Sequence, residues 1–222
     1  MNFKIADRIR RLVMLPGSEK CGGKDPRLEK MDRIYGGAEG DLGKWGRTKE
    51  YIRFQNNLAD LIIDNGLLSN DSEHPRKRVL SVSANSGLGE NILQQRLKDQ
   101  VKVIVADLVI PKTRYEEGNR ILHDARRLPI RCESTDILID TMGALWYEGT
   151  ERGGDMRALL EEYLRVLDTG GLLVIDKSTD AIIETFLGLY DSNFMQEKFE
   201  EFGRFGADKA NIVVYKKRQI AE

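Results

Sequence analysis

The fold of this chain is decided at residues 78–89, which read RVLSVSANSGLG. A short apolar run ends in small residues and glycine just where a helix is predicted to begin. Parallel-sheet domains use such a connection to present backbone N–H groups to an adenosyl or phosphate-bearing ligand. The stretch therefore predicts a buried strand and, directly after it, a ligand-binding loop.

Strands and helices alternate along the chain after this stretch. The predicted strands are Arg78–Ser83, Val101–Asp107, Asp136–Asp140 and Leu172–Ile175, and the predicted helices are Gly89–Lys98 and Asp155–Leu167. We expect Gly170-Gly171 to turn the chain into the last of these strands. Continuous apolar strands separated by helices are typical of a parallel sheet covered on both faces. Glu197–Phe205 and Asn211–Lys216 predict a closing antiparallel hairpin. The fold class is α/β, doubly wound.

The first part of the chain has a different pattern. Residues 1–70 predict a helical cap or lid, with a helix over 2–14 and glycine-rich loops. A second helix is predicted from Thr48 until Asn65-Gly66 stops it. We therefore predict two domains, residues 1–70 and residues 75–222.

Composition is typical of a soluble globular chain and suggests no metal site. Of 222 residues, 41% are apolar and 32% are charged, and the net charge is −1, so no overall field recruits nucleic acid. Residues 1–60 carry 13 Lys and Arg against 9 Asp and Glu. Cys21 and Cys132 have no metal-ligand spacing, no apolar run spans a membrane, and we expect no signal peptide. The expected location is the cytoplasm.

Three aspartates are candidate ligand contacts: Asp107 and Asp140 end predicted strands, and Asp124 lies in the loop before the next strand. Asp107 ends the strand after the loop, where a carboxylate can accept two hydrogen bonds from a ribose diol, or cap the following loop. Asp124, in the segment His123-Asp124-Ala125, could accept from an adenine amine or lie on the surface. Asp140 would face the reactive end of a ligand or be a hydrogen-bonded strand terminus.

Taken together, these residues resemble the class I S-adenosylmethionine-dependent methyltransferase family over roughly residues 75–216. Five segments occur in the family's order: VLSVSANSGLG, VADL, HDARRLPI, TDILIDTMGALW and EEYLRVLDTGGLLVID. The resemblance implies a mostly parallel seven-stranded sheet with an antiparallel hairpin at its end. It also implies S-adenosyl-L-methionine as the cofactor.

The resemblance also assigns the cofactor site. Asp107 would bind the ribose hydroxyls and Asp124 the adenine amine, while the segment from Asp140 to Trp146 would border the sulfonium and the acceptor. The residues assigned to the cofactor are Ser83, Ala84, Asn85, Ser86, Gly87, Asp107, Leu108, Asp124, Ala125, Asp140, Thr141 and Met142.

The loop departs from the family's pattern. Ser81 stands where an acidic residue is usual, and Ser83 and Asn85 stand for two glycines, so only Gly87 remains. Asparagine is the non-glycine residue that best tolerates a left-handed backbone, and serine is small. We expect the loop to keep its shape, with Asn85 left-handed.

The implied reaction is in-line transfer of a methyl group to an oxygen, nitrogen or carbon nucleophile, most simply of a small molecule. Candidate bases are Asp140 and His123. The sequence lacks the Asn-Pro-Pro-Tyr pattern typical of adenine or glutamine amide methylation. Two alternatives stay open: an RNA or protein methyltransferase that uses the basic N-terminal segment, and a non-catalytic methyltransferase-like partner domain.

Overall fold

The computed structural model describes residues 49–67, 76–84, 88–107, 119–141, 143–150, 155–190, 193–206 and 212–219. All of them belong to one unit, Gly46–Glu222. The predicted helix over 2–14 and the glycine-rich loops after it lie outside the described residues. The division into residues 1–70 and 75–222 stays a prediction.

Strands and helices alternate through the described residues. The strands are β1 (Lys77–Val82), β2 (Val101–Asp107), β3 (Asn119–Leu122), β4 (Thr135–Asp140), β5 (Leu167–Asp176), β6 (Phe199–Phe205) and β7 (Ile212–Lys217). The helices are α1 (Lys49–Asp64), α2 (Leu88–Leu97), α3 (Ala144–Thr150), α4 (Met156–Val166), α5 (Lys177–Tyr190) and α6 (Phe194–Lys198), with a 3₁₀ turn at Lys98–Gln100. None of the helices in this part of the chain is long and apolar enough to cross a membrane.

Within the described residues the seven strands form one sheet in the order β3-β2-β1-β4-β5-β7-β6. Strands β1 to β5 pair in parallel, whereas β7 pairs antiparallel with both β5 and β6. The predicted α/β class and the mostly parallel sheet with a terminal antiparallel hairpin are confirmed. Because β1 lies between β2 and β4, the strand order reverses there, which is where such sheets bind ligands.

Alternate residues of the strands feed two apolar cores, one on each face of the sheet. On β1, Val79 belongs to the core that includes α1 and α2, while Leu80 and Val82 belong to the core that includes α4 and α5. Strand β4 divides in the same way, with Ile137 facing the first core and Leu138 the second. Burial on both faces explains why these strands read as continuous apolar runs.

Strand β5 corrects one prediction. Gly170 and Gly171 lie inside the strand rather than in a turn before it, because β5 begins at Leu167. The pairing with β4 shifts register between Thr135 and Ile137, and Gly170 has φ +76°. A Cβ on Gly171 would lie 2.8 Å from the carbonyl oxygen of Asp168. The two glycines thus allow an irregular segment within β5, between the pairs Thr135–Leu167 and Ile137–Leu172.

Helix α1 ends in a Schellman motif at Asn65-Gly66, where the sequence predicted that the helix stops. Leu67 N donates to Ile62 O and Gly66 N donates to Ile63 O, both at 3.1 Å. Gly66 has φ +59°, the left-handed region that glycine enters without a steric penalty. The backbone alone therefore requires glycine here, because nothing lies within 4 Å of a Cβ built on it.

Two glycine-to-alanine substitutions should shift stability in opposite directions. Gly66→Ala should lower the free energy of unfolding by about 1 kcal/mol, because alanine pays for the left-handed backbone. Gly188→Ala, in the exposed last turn of α5 where a Cβ also meets nothing within 4 Å, should raise it by about 0.5–1 kcal/mol. Urea unfolding of both variants measures the difference. Equal effects of the two would contradict the assigned end of α1.

Candidate functional site

The candidate site lies at the carboxyl ends of β1, β2 and β4. Val82, the last residue of β1, pairs with Ala106 on one side and with Asp140 on the other. The next residues along the three strands, Ser83, Asp107 and Thr141, therefore lie side by side. This register brings together the predicted loop and two of the predicted strand-end segments at the point where the strand order reverses.

Ser83 leaves β1 with a left-handed backbone, at φ 56°. The sequence placed this serine where the family has a glycine, and expected the left-handed residue at Asn85, which lies outside the described residues. Left-handed geometry costs a non-glycine residue roughly 1–2 kcal/mol. Such a residue persists only where the surrounding structure requires it.

Gly143 packs closely against the ends of β1 and β4 at this edge. A Cβ on Gly143 would lie 2.3 Å from Asp140 Oδ1 and 2.7 Å from Ser83 Cβ. No side chain fits at those distances, so the lack of one at Gly143 lets the end of β1, the end of β4 and the start of α3 meet.

Asp140 is the buried polar centre of the site. Its side chain has no exposed surface, and its Oδ2 accepts hydrogen bonds from the Tyr163 hydroxyl at 2.7 Å and from Leu145 N at 2.9 Å. These contacts join β4 to α4 and to α3. Oδ1 is also buried and finds no hydrogen-bond donor within the part of the chain that the structure describes.

Burial sets the protonation of this pair. Loss of water raises the pKa of Asp140 to about 7. The charge of Asp176 adds to the rise, and hydrogen bonding from Tyr163, from the backbone of Leu145 and, least, from the backbone of Gly143 opposes it. Burial, followed by the charge of Asp140, raises the pKa of Tyr163 well above its ordinary value. Tyr163 therefore stays a hydrogen-bond donor, and Asp140 titrates near neutral pH.

Asp107 and His123 adjoin at the end of the parallel pair β2 and β3. His123 N donates to Asp107 O at 3.0 Å, which extends the ladder one residue beyond the pairing of Asp107 with Leu122. The His123 ring is half-buried, and its Nδ1 lies 3.3 Å from the carbonyl oxygen of Asp124. Asp107 and His123 thus lie next to each other at the carboxyl ends of β2 and β3.

Asp124 is paired with an arginine. Its Oδ1 accepts from Arg126 N and from Arg126 Nε, both at 3.0 Å, and its Oδ2 accepts from the guanidinium as well. Arg126 also lies 3.4 Å from Glu148 Oε1 on α3. The hydrogen bond with Asp124 raises the pKa of Arg126 further. A single arginine therefore links the segment after β3 to the helix after β4.

The structure places most of the predicted cofactor residues at this edge, and the assignment of their roles stays a prediction. Ala84 is buried and Ala125 packs against the core that includes α4. The predicted residues at the described edge are Ser83, Ala84, Asp107, His123, Asp124, Ala125, Asp140 and Thr141. Those outside the described residues are Asn85, Ser86, Gly87, Leu108 and Met142.

Sequence reasoning missed the partners of these residues. Tyr163 was visible only as one apolar position of α4, although a buried tyrosine hydroxyl usually needs a partner. Gly143 stood in the quoted segment TMGALW without being singled out. Arg126 follows Asp124 by two residues, a spacing that allows a side chain to fold back, and that signal could have been used.

The raised pKa of Asp140 predicts a pH-dependent stability. The unfolded carboxyl titrates near its ordinary value of 3.8 and the folded one near 7, so the folded state holds the extra proton between these values. Stability contributed by Asp140 is therefore present at low pH and is lost as pH rises from about 4 to 7, at up to about 1.4 kcal/mol per pH unit. The difference in unfolding free energy between wild type and Asp140→Asn should follow this trend.

The measurement is urea unfolding of both proteins at several pH values between 4 and 8. Asp136→Asn is a matched control, because its hydrogen bonds with Arg78 and Lys77 give Asp136 a lowered pKa despite burial. Its contribution should instead be lost as pH falls. A pH-independent difference for Asp140→Asn would show that the buried carboxyl is not the titrating group.

Comparisons with known proteins identify the fold. No protein-family model and no curated protein matches the sequence. Among solved structures, the DszA carbon methyltransferase has a TM-score of 0.57 at 13% identity, covering 99% of this chain and 71% of that chain. An S-adenosylmethionine-dependent methyltransferase from Aquifex aeolicus has a TM-score of 0.51 at 12% identity, covering 80% and 98%.

The CurJ carbon methyltransferase has a TM-score of 0.53 at 14% identity and matches 74% of this chain. The chain spans only 54% of the length of that structure. At these identities the similarity concerns the fold. The chain has the fold of the class I S-adenosylmethionine-dependent methyltransferases.

Proposed function

We propose that this protein binds S-adenosylmethionine at the carboxyl ends of β1, β2 and β4 and transfers its methyl group to a small-molecule nucleophile. The observation that carries the proposal is the convergence of Ser83, Asp107 and Asp140 at the reversal point of the sheet. It combines a left-handed backbone, a strand-end carboxylate and a buried carboxylate with one unpaired oxygen. The folds of the structural neighbours agree with it.

The residues at this edge suit the cofactor chemically. A buried carboxylate oxygen without a donor is costly, and a ligand ammonium group is a donor of the kind it lacks. Asp140 Oδ1 meets that description, and it lies beside Gly143 and Ser83 at this edge. We assign Asp140 to the amino-acid end of the ligand. Its complete burial favours this role over that of a base.

Two further carboxylates would hold the nucleoside. Asp107, at the end of β2, would accept hydrogen bonds from the ribose hydroxyls. Asp124 would accept from the adenine amine, and to do so it must share or release Arg126. Glu148 is the second carboxylate within reach of Arg126, so the guanidinium keeps a partner when Asp124 turns to a ligand.

In the proposed reaction the protein's main task is to hold the cofactor and the acceptor in the right positions. The cofactor supplies a methyl group already activated on a sulfonium, so alignment and exclusion of water account for much of the acceleration. A base is needed only when the acceptor must lose a proton. His123 is half-buried at the same edge and is our candidate for that role. With a net charge of −1, the protein offers no overall attraction for a nucleic-acid acceptor.

Titration calorimetry with S-adenosylhomocysteine tests the proposal. Wild type should bind, and Asp107→Ala should bind at least roughly tenfold more weakly, because hydrogen bonds to a charged group contribute about 1.5–3 kcal/mol. Asp168→Ala is the matched control, since Asp168 is a half-exposed aspartate at the opposite end of the sheet, next to the first residue of β5. It should bind as wild type does.

Lack of binding by wild type at millimolar ligand would overturn the proposed function. Equal affinities of Asp107→Ala and Asp168→Ala would show that the ligand binds elsewhere on the protein. Circular dichroism of each variant confirms that the fold is retained.

Arg126→Ala should tighten binding of S-adenosylhomocysteine by about two- to fivefold, because it removes a competitor for Asp124. The gain is small because the Asp124 side chain is 36% exposed, and partly exposed ion pairs contribute at most about 1 kcal/mol. Arg76→Ala removes the exposed pair with Asp99 and should leave affinity unchanged. Weaker binding by Arg126→Ala would mean that the guanidinium itself contacts the ligand.

A further inference from the structure

A second buried carboxylate lies behind the candidate site, on the other face of the sheet. Glu90, in the first turn of α2, has only 1% of its surface exposed. Its Oε1 accepts hydrogen bonds from the Ser81 hydroxyl at 2.9 Å and from Gln55 Nε2 at 3.3 Å. Glu90 therefore joins α2 to both β1 and α1.

The position of this contact along the chain is informative. Ser81 lies two residues before the left-handed Ser83, and Glu90 follows the connection that leads from β1 into α2. The hydrogen bond between them thus fixes both ends of that connection. Burying a carboxylate costs several kcal/mol unless hydrogen bonds compensate for the lost hydration. The hydrogen bonds of Glu90 are therefore needed for the stability of this part of the fold.

Position 81 is also where the sequence departs from the resemblance, since a serine replaces the expected acidic residue. The serine hydroxyl and the Glu90 carboxylate are in direct contact. An acidic side chain added at position 81 beside Glu90 would put two carboxylates within hydrogen-bond distance, which repel each other. One carboxylate belongs at this point, and here it comes from the helix.

We propose that Glu90 supplies, from α2, the carboxylate that holds the connection after β1, and that Ser81 is its matching hydroxyl. Glu90 is then a positioning residue for the cofactor, because it sets where the end of β1 and Ser83 lie relative to the end of β4. This inference rests on the proposed function.

The test exchanges the two side chains. Ser81→Glu, Glu90→Ser and the double exchange Ser81→Glu/Glu90→Ser are compared with wild type by calorimetry with S-adenosylhomocysteine. Each single variant should lose affinity by roughly tenfold or more, since one has two carboxylates and the other has none. The double exchange should recover to within roughly threefold of wild type, because the hydroxyl–carboxylate pair is restored.

Two further variants guard against loss of the fold. Glu90→Gln keeps the size and the hydrogen bond of the side chain without its charge, and should weaken binding roughly tenfold while the protein stays folded. Glu161→Ser, an exposed glutamate of α4 paired with Arg157, should have no effect on affinity.

The outcomes separate this inference from the proposed function. Wild type that fails to bind would overturn both. Wild type that binds, with a double exchange as weak as the product of the single losses, would overturn only the role of Glu90. Unchanged affinity in Glu90→Gln would do the same, because the charge would then not matter.

Discussion

The hydrogen bond between the Tyr163 hydroxyl and the Asp140 carboxylate is the interaction on which the candidate site depends. Strand β4 ends at Asp140, α4 contributes Tyr163, and α3 starts where Leu145 N reaches the same oxygen. A carboxylate this deeply buried is stable only because these donors compensate part of its lost hydration. The arrangement fixes where the chain leaves β4, and so it fixes the β4 side of the candidate site.

The β1 side of the candidate site is fixed by a buried carboxylate in a similar way. Glu90 joins β1 to α1 and α2 on the face of the sheet opposite to Tyr163. The paired strands β1 and β4 are therefore flanked by two buried carboxylates, one on each face of the sheet. Each exchanges hydration for hydrogen bonds that span several elements. Ser83, whose backbone is left-handed, lies between them at the end of β1.

The central strands of the fold could be predicted from the sequence, because each of them is a continuous run of apolar residues. Strand β2 was predicted to the residue, since Val101–Asp107 is buried on both faces and reads as one apolar run. Gly170-Gly171 was predicted to turn the chain into the strand, but both glycines lie inside β5. Their conformation depends on the register with β4, which the local sequence does not give. Strand β3 and helices α3, α5 and α6 had no predicted counterpart.

The site was predicted less completely than the fold. The strand-end aspartates can be found from their positions alone, because the carboxyl ends of parallel strands share one edge. Their partners cannot. Tyr163 is 23 residues from Asp140, and only the packing of α4 on the sheet brings the two together. Likewise, the sequence shows only that a serine stands at position 81 where an acidic residue is expected. The hydrogen bond from Ser81 to Glu90 becomes visible only in the structure.

The central claim is that the edge formed by the ends of β1, β2 and β4 binds S-adenosylmethionine. A crystal structure of the protein grown with S-adenosylhomocysteine tests it most directly. The account predicts the ribose on Asp107 and the amino-acid end of the ligand beside Asp140 and Gly143. A ligand bound at another edge of the sheet, or one that makes no contact with either aspartate, would contradict it.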